Sequence, residues 1–352
     1  SKKNDKKVKM KLTDHNNLDI KKLDKLSSQF QSIKGNNFDF TCNVLNGNFY
    51  LDTHNYYPIT DEMFTFSELF MWGDTLKYDN FYKKDFINNF NLNKKNFKSF
   101  SDIFVLGSSA QDNYYRNIIS FLPRIFYTNK KKINIALHRN TPNKFRNFIK
   151  IICNKNKIET KFVFLDDGFY KFRNSQIPQF LDQNNSIKIL NNLTSIKKGK
   201  KNKIYISRQN CNYRNLVNEN DILSYLTQLN FQIIDLNNFS IPDQIDLFSN
   251  AEIIISPTGS GLVNSVFCQK GTKIIEITPK YEHKYEDIFK NRYSSIAKIL
   301  GLDYFNLEAD SINIDNPKSR RTIIPKIYDE SNYFKNLIVK VHNLKNILNF
   351  NN

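Results

Sequence analysis

The chain has 352 residues, 40% of them hydrophobic, with a formal net charge of +18. That length is too great for one compact core, so two domains are expected, and 30 Phe with 18 Tyr supply ample apolar area for both. The four cysteines, Cys42, Cys153, Cys211 and Cys268, show no paired spacing, which argues against a disulfide framework or a zinc site and for a reducing setting.

Much of the positive excess lies in Lys2–Lys11 and Lys197–Lys203. Both runs read as solvated tail or linker, with attraction to an anionic membrane surface as the functional alternative. No recognised nucleic-acid module accompanies them, so nucleic acid is not an expected partner. No apolar run is long enough to span a bilayer and no signal-peptide pattern is visible, so the expected setting is cytoplasmic, peripheral to the membrane at most.

Residues 1–35 read as a polar tail leading into a short helix. Residues 38–60 alternate roughly with period two around Asn46-Gly47, which predicts a β-hairpin turning there. Residues 61–100 are aromatic and irregular. Then the pattern changes. Asp102–Leu106 reads as a buried strand, Gly107–Asp112 as a loop and Asn113–Phe126 as a helix. A strand at Lys132–Leu137, a helix from about Pro142 to Asn154 and a strand at Lys161–Leu165 follow.

The alternation restarts with a strand at Lys203–Ser207 and a helix capped in Asn218–Asp221. Next come a strand at Phe231–Asp235, a helix at Pro242–Asn250, a strand at Glu252–Ser256, a helix at Ser260–Cys268 and a strand at Lys273–Ile277. A long helix from about Lys284 to Leu300 and an amphipathic one at Tyr333–Leu348 complete the chain. Strands alternating with helices imply parallel βαβ units, hence an α/β fold of two Rossmann-like domains facing a cleft. The expected division is an N-terminal region at 1–100 packed on the first domain, a first Rossmann-like domain at 101–195 and a second at 196–305. A C-terminal segment, 306–352, should pack back across them. Ligands in such sheets lie beyond the carboxyl ends of the strands.

The sharpest local feature is Ser256-Pro257-Thr258-Gly259-Ser260-Gly261-Leu262, between a strongly apolar strand and a helix. Its glycines permit close backbone approach, and the helix start offers N–H groups to a phosphate. Taken alone, such a turn is equally a plain strand-to-helix connection. Ser207-Arg208 ends the first strand of the same half and Arg214 lies in the loop after it. Either arginine can fork onto phosphate or be a solvated loop residue. Glu276 stands near the end of a buried strand, where its charge needs a partner: a ribose hydroxyl pair or an internal cation.

Ile204–Arg208, Arg214, Asn218-Glu219, Gln244–Phe248, Gly259–Asn264 and Ile275-Glu276 agree in order and spacing with one known pattern, and together they resemble the catalytic domain of glycosyltransferase family 61. The stretch Asp112-Asn113-Tyr114-Tyr115 with Leu122-Pro123-Arg124 is similar to that family's Asn-Tyr-Tyr-His and Leu-Pro-Arg segments. The resemblance covers about residues 102–305. It implies a GT-B architecture and inverting, metal-independent transfer from a nucleotide-sugar, a substrate rather than a cofactor, to a glycan or lipid-linked acceptor.

It also implies donor contacts from Ser207, Arg208, Arg214, Thr258, Gly259, Ser260, Gly261, Asn264 and Glu276, with Asn113 and Tyr115 on the acceptor side. The chain departs from the family's usual residues at Arg116 (His), Ser120 (an acid) and Thr258 (His). The family's usual bases are therefore missing, and an inverting transferase needs one. Asp112 is the remaining carboxylate in its loop, as general base or as a plain helix cap. Arg116 is expected to steady the leaving diphosphate or bind an anionic acceptor. Asp166-Asp167 are the nearest approach to a metal-binding motif and read more readily as a cap or turn. The alternative to an enzyme is a catalytically silent nucleotide-sugar-binding or scaffolding protein of a polysaccharide pathway.

Overall fold

The computed structural model describes residues 19–21, 30–35, 38–53, 57–61, 64–66, 69, 90, 92–107, 113–194, 201–313 and 332–349. The basic run 2–11, the lysines at 197–200 and Asp112 lie outside them. The fold is α/β. Two compact units divide the chain, Ser1–Ser186 and Ile187–Asn352. No helix of the described residues is long and apolar enough to cross a membrane.

The first unit carries β1 (Asp19–Lys21), β2 (Phe30–Lys34), β3 (Thr41–Asp52), β4 (Tyr57–Thr60) and β5 (Phe64–Phe66). They are followed by β6 (Lys98–Ser101), β7 (Ile103–Val105), β8 (Lys132–His138), β9 (Glu159–Leu165) and β10 (Phe169–Pro178). Its main sheet runs β2-β3-β10-β7-β8-β9, with β4 added to β3 and β6 to β10. The β10-β7-β8-β9 part is parallel, whereas β2, β3 and β4 join antiparallel.

The hairpin expected at Asn46-Gly47 does not form there. Both residues lie inside β3, where Asn48 alone opposes the Arg173-Asn174 bulge of β10. Gly47 has a φ of +125°, and Asn174 is left-handed at +45°. The glycine thus serves the bulge rather than a turn. Helix α1 (Asn143–Lys155) buries Phe145, Phe148, Ile149, Ile152 and Cys153, spaced as one face of a helix.

The helix expected over Asn113–Phe126 is a composite of an α turn at Tyr114–Arg116, a π segment at Asn117–Phe121 and a 3-10 segment at Leu122–Phe126. Pro123 lacks the N–H that an unbroken α ladder would need. Arg124 in this segment is fully buried. Its Nε and Nη2 donate to the Pro178 carbonyl at 3.0 and 2.6 Å, and its guanidinium lies 4.3 Å from the Phe180 ring centre. The Leu-Pro-Arg stretch therefore fastens the end of β10.

After α2 (Gln183–Asn191), the second unit holds β11 (Asn202–Ile206), α3 (Glu219–Gln228), β12 (Gln232–Ile234), α4 (Ile241–Ser249), β13 (Ala251–Pro257) and β14 (Lys273–Pro279). Helix α5 (Arg292–Leu300), β15 (Asp303–Ile312), β16 (Asn336–Ile338) and α6 (Val341–Asn349) complete it. Sheet order is β12-β11-β13-β14-β15-β16, parallel except for β16.

Three expectations are corrected in this unit. The long helix 284–300 is broken at Asn291. The helix expected from Tyr333 gives way to β16 before α6 begins at Val341. Asn218 does stand at the N-cap of α3, but its amide bonds Val339 instead, donating to the carbonyl at 2.9 Å and accepting the N–H at 3.1 Å. Leu337, Val339, Leu344 and Leu348 join Tyr205, Ile255, Ile275 and Leu307 in one core, so the C-terminal segment is part of this unit's packing.

Candidate functional site

The order 2-1-3-4-5 of the parallel strands reverses between β11 and β13, the switch point at which doubly wound sheets bind ligands. The carboxyl end of β11 delivers Ser207-Arg208 there, and that of β13 delivers Thr258-Gly259. The two motifs, some fifty residues apart in sequence, are therefore brought to one place.

Gly259 is what lets them meet. A Cβ on Gly259 would fall 2.1 Å from Arg208 Nη1 and 2.9 Å from its Cζ. The guanidinium thus lies directly on the glycine, fixed by donation from Nη2 to the Tyr213 carbonyl at 3.1 Å. The Gly259 backbone is extended, at φ 178° and ψ 162°, so close approach and not dihedral freedom requires the glycine. Tyr293 of α5 donates to its carbonyl at 2.5 Å. A Cβ on Gly261 would meet Leu236 Cδ1 at 2.6 Å, so this glycine sets close packing against the loop after β12.

The expected helix after the turn is an eight-residue 3-10 helix, Ser260–Phe267, whose first turn has no side-chain cap. A helix start of this kind offers N–H groups to an anion.

The expected donor residues fall into two layers. Ser207, Arg208, Ser260 and Gly261 are half-buried and reach solvent. Arg214, Thr258, Asn264 and Glu276 are buried behind them. Asn264 donates to Gln244 Oε1 at 2.7 Å, and Gln244 donates to the Leu236 and Phe239 carbonyls at 3.0 and 3.1 Å, tying the 3-10 helix to α4 and its approach. The Ser207 hydroxyl donates to Glu219 Oε2 at 3.1 Å while Tyr205 donates to Oε1 at 2.6 Å. Glu219 is a brace that sequence reasoning missed.

Glu276 is fully buried, and its Oε2 accepts from Tyr304 at 2.7 Å. Its partners are internal groups, not an open hydroxyl-binding face. Burial pushes its carboxyl up to about 7, while the Thr258 and Tyr304 hydroxyls and the Arg214 and Arg292 charges pull the other way. Folding thus favours the protonated acid. The resulting stability is fully present below its ordinary 4.5 and is lost as pH rises through about 7. A displacement of that size corresponds to roughly 3 kcal/mol. Glu276→Gln, which keeps the neutral shape, is expected to flatten the melting temperature between pH 5 and 8 and to exceed the parent at pH 8. An unchanged slope in the variant would remove Glu276 as the cause.

In the first unit, Asn113 accepts the Arg116 N–H at 3.2 Å and so caps the turn at Tyr114–Arg116. Tyr115 is buried, and the Arg116 guanidinium lies 5.9 Å from its ring centre. Ser120 is half-buried. Two carboxylates occupy the turn after β9. Asp166 accepts from Arg139 Nε and Nη2 at 2.6 and 3.2 Å, which holds its carboxyl below the usual range.

Asp167 Oδ1 lies 3.0 Å from Nε2 of buried His138, the last residue of β8. Nδ1 of that ring accepts the Asn140 N–H at 3.1 Å, so the ring proton sits on Nε2, facing Asp167. The Thr53 hydroxyl donates to the Asp166 carbonyl at 2.7 Å and accepts the Gly168 N–H at 3.0 Å, pinning the turn. Sequence reasoning missed His138, whose only signal was its place at a strand end. Among the described residues no group of three His, Cys, Asp or Glu could hold a metal ion.

Comparison with curated proteins found no match. Residues 114–275 match the family model described as Glycosyltransferase 61. That stretch contains Arg208, Arg214 and Gly259–Asn264, while Asn113 and Glu276 flank it. Over residues 114–275 the chain is therefore similar to glycosyltransferase family 61.

Proposed function

We propose that the chain moves a sugar from a nucleotide-sugar to a glycan or lipid-linked acceptor, with inversion and without a metal ion, its two units forming a GT-B-like pair. The observation that carries this is the Arg208 guanidinium laid on Gly259 at the strand-order reversal, beside an uncapped helix start. In this reading the donor diphosphate contacts Arg208 and the Ser260 and Gly261 amides. Arg214, Thr258, Asn264 and Glu276 hold that surface from behind.

The acceptor hydroxyl gives its proton to a carboxylate as its oxygen bonds to the anomeric carbon. The bond from that carbon to the diphosphate breaks, and the nucleotide leaves with the electron pair. One displacement inverts the configuration. Charge grows on the departing diphosphate, where a fixed guanidinium and peptide N–H groups are most effective. Those groups are the support for metal independence.

Asp112 is the proposed base. The competing role of helix cap belongs to Asn113, and Arg116 in the same segment would keep a nearby carboxylate ionised. Asp167, oriented by His138, is the second choice, because Arg139 lowers the basicity of Asp166. The setting that fits is cytoplasmic, with the lysines at 2–11 drawing the chain to an anionic membrane.

The test is nucleotide release from a panel of nucleotide-sugars with and without EDTA. Release unaffected by EDTA, with an inverted product, is expected. Activity lost in EDTA and restored by manganese would refute metal independence. Binding without turnover of any donor would instead leave the silent binder.

A further inference from the structure

A groove of about 440 Å³ lies in the first unit between α1 and β9, the edge strand of its sheet. Its lining carries three cations, Arg146, Lys150 and Lys161, and no carboxylate. None of the three forms an ion pair among the described residues. Arg146 is pre-set: Nε donates to the Thr141 carbonyl at 2.6 Å, Nη2 donates to the Arg139 carbonyl, and the guanidinium lies 4.4 Å from the Phe164 ring centre. Lys150 Nζ lies 5.4 Å from the Phe162 ring centre, and the two rings are 6.1 Å apart. Asn143 and Asn147 stand exposed along the α1 side.

We infer that this groove binds an anionic glycan chain. The three cations supply charge-assisted bonds to carboxylate or phosphate groups, and the carboxamides match sugar hydroxyls, which both donate and accept. Nucleic acid would need open ring faces on which bases stack. Here cationic side chains already lie over both rings. A membrane would need protruding apolar groups, whereas these phenylalanines are half-buried in a concavity. The inference stands apart from the donor-site reading, because every residue lining the groove belongs to α1 or β9.

The probe is oligogalacturonate titrated calorimetrically into the full chain, with maltohexaose, a single-stranded oligothymidylate and phosphatidylserine vesicles as the other arms. Oligogalacturonate should bind and maltohexaose should not. The double variant Lys150→Gln/Lys161→Gln should weaken oligogalacturonate at least tenfold. The equal charge loss Lys290→Gln/Lys298→Gln, on exposed lysines of the second unit, should leave it within twofold. Gly259→Val should bind the probe as the parent does, so failure of the donor site is read separately. No binding of oligogalacturonate, or equal weakening by the two double variants, would overturn the inference. So would an oligonucleotide or vesicles binding more tightly than the glycan and losing more in the groove variant.

Discussion

Gly259→Val is expected to abolish nucleotide binding while the protein stays folded. The backbone there is extended, so valine meets no dihedral penalty. Its Cβ would occupy the space of Arg208 Nη1, at the far end of a long side chain, which must swing away and give up the Tyr213 carbonyl. The fold therefore loses little, whereas the proposed phosphate surface loses its cation. A bound ligand stabilises a protein by about 2.7 kcal/mol at a hundredfold excess over Kd, and this increment should vanish in the variant. Thermal melts with and without nucleoside diphosphate measure it. A variant that melts as the parent does and keeps the full ligand-induced rise would show that the Arg208–Gly259 contact is not the donor site. Gly259→Ala should behave similarly, because the clash begins at Cβ.

Asp112→Asn is expected to lower turnover by about 10²–10⁴-fold, the usual cost of removing a general base, with the nucleotide-induced melting shift intact. Asparagine keeps the size of the side chain and cannot take the acceptor proton. The companion variant Asp167→Asn leaves His138 facing an amide in place of a carboxylate and should cost much less. Single-turnover rates at saturating donor decide between them. A normal Asp112→Asn enzyme beside a crippled Asp167→Asn one would move the base to the His138-oriented carboxylate. The turn that Thr53 pins would then be an acceptor-side loop.

The strands that sequence reasoning placed best were β7, β8, β9 and β11 to β14, within about two residues at every end. Buried parallel strands read as short β-branched runs, and Ile253–Ile255 or Ile274-Ile275 leave little choice. Strand β10 escaped because the bulge at Arg173-Asn174 breaks its alternation. Asn46-Gly47 misled for the matching reason: a glycine beside a bulge and a glycine in a hairpin turn look alike in sequence. Strand β15 has a legible period, Leu307 and Ala309 buried between exposed Asn306, Glu308 and Asp310, but its place beside β14 is a non-local fact.

The candidate site followed the same division. Arg208 and the Thr258–Gly261 turn were legible as neighbours, because strands of a parallel sheet bring their carboxyl ends to one edge. Which residues face solvent and which lie behind was not legible. Glu276 takes its hydrogen bond from Tyr304 on β15, a strand the sequence reading did not place, and feels Arg292 at the start of α5, of which that reading placed only the end at Leu300. Likewise the Ser207 hydroxyl is occupied by Glu219, a long-range pairing that no local pattern encodes.

The central claim is that the nucleotide lies at the switch point of the second unit, and amide hydrogen exchange locates it most directly. With a saturating nucleoside diphosphate from a panel, protection should rise at 207–210 and 258–262, the two strand ends and the uncapped turn. The same nucleotide added to Gly259→Val should leave those segments unprotected. Protection in the parent confined to other segments, or no protection by any member of the panel, would contradict the claim.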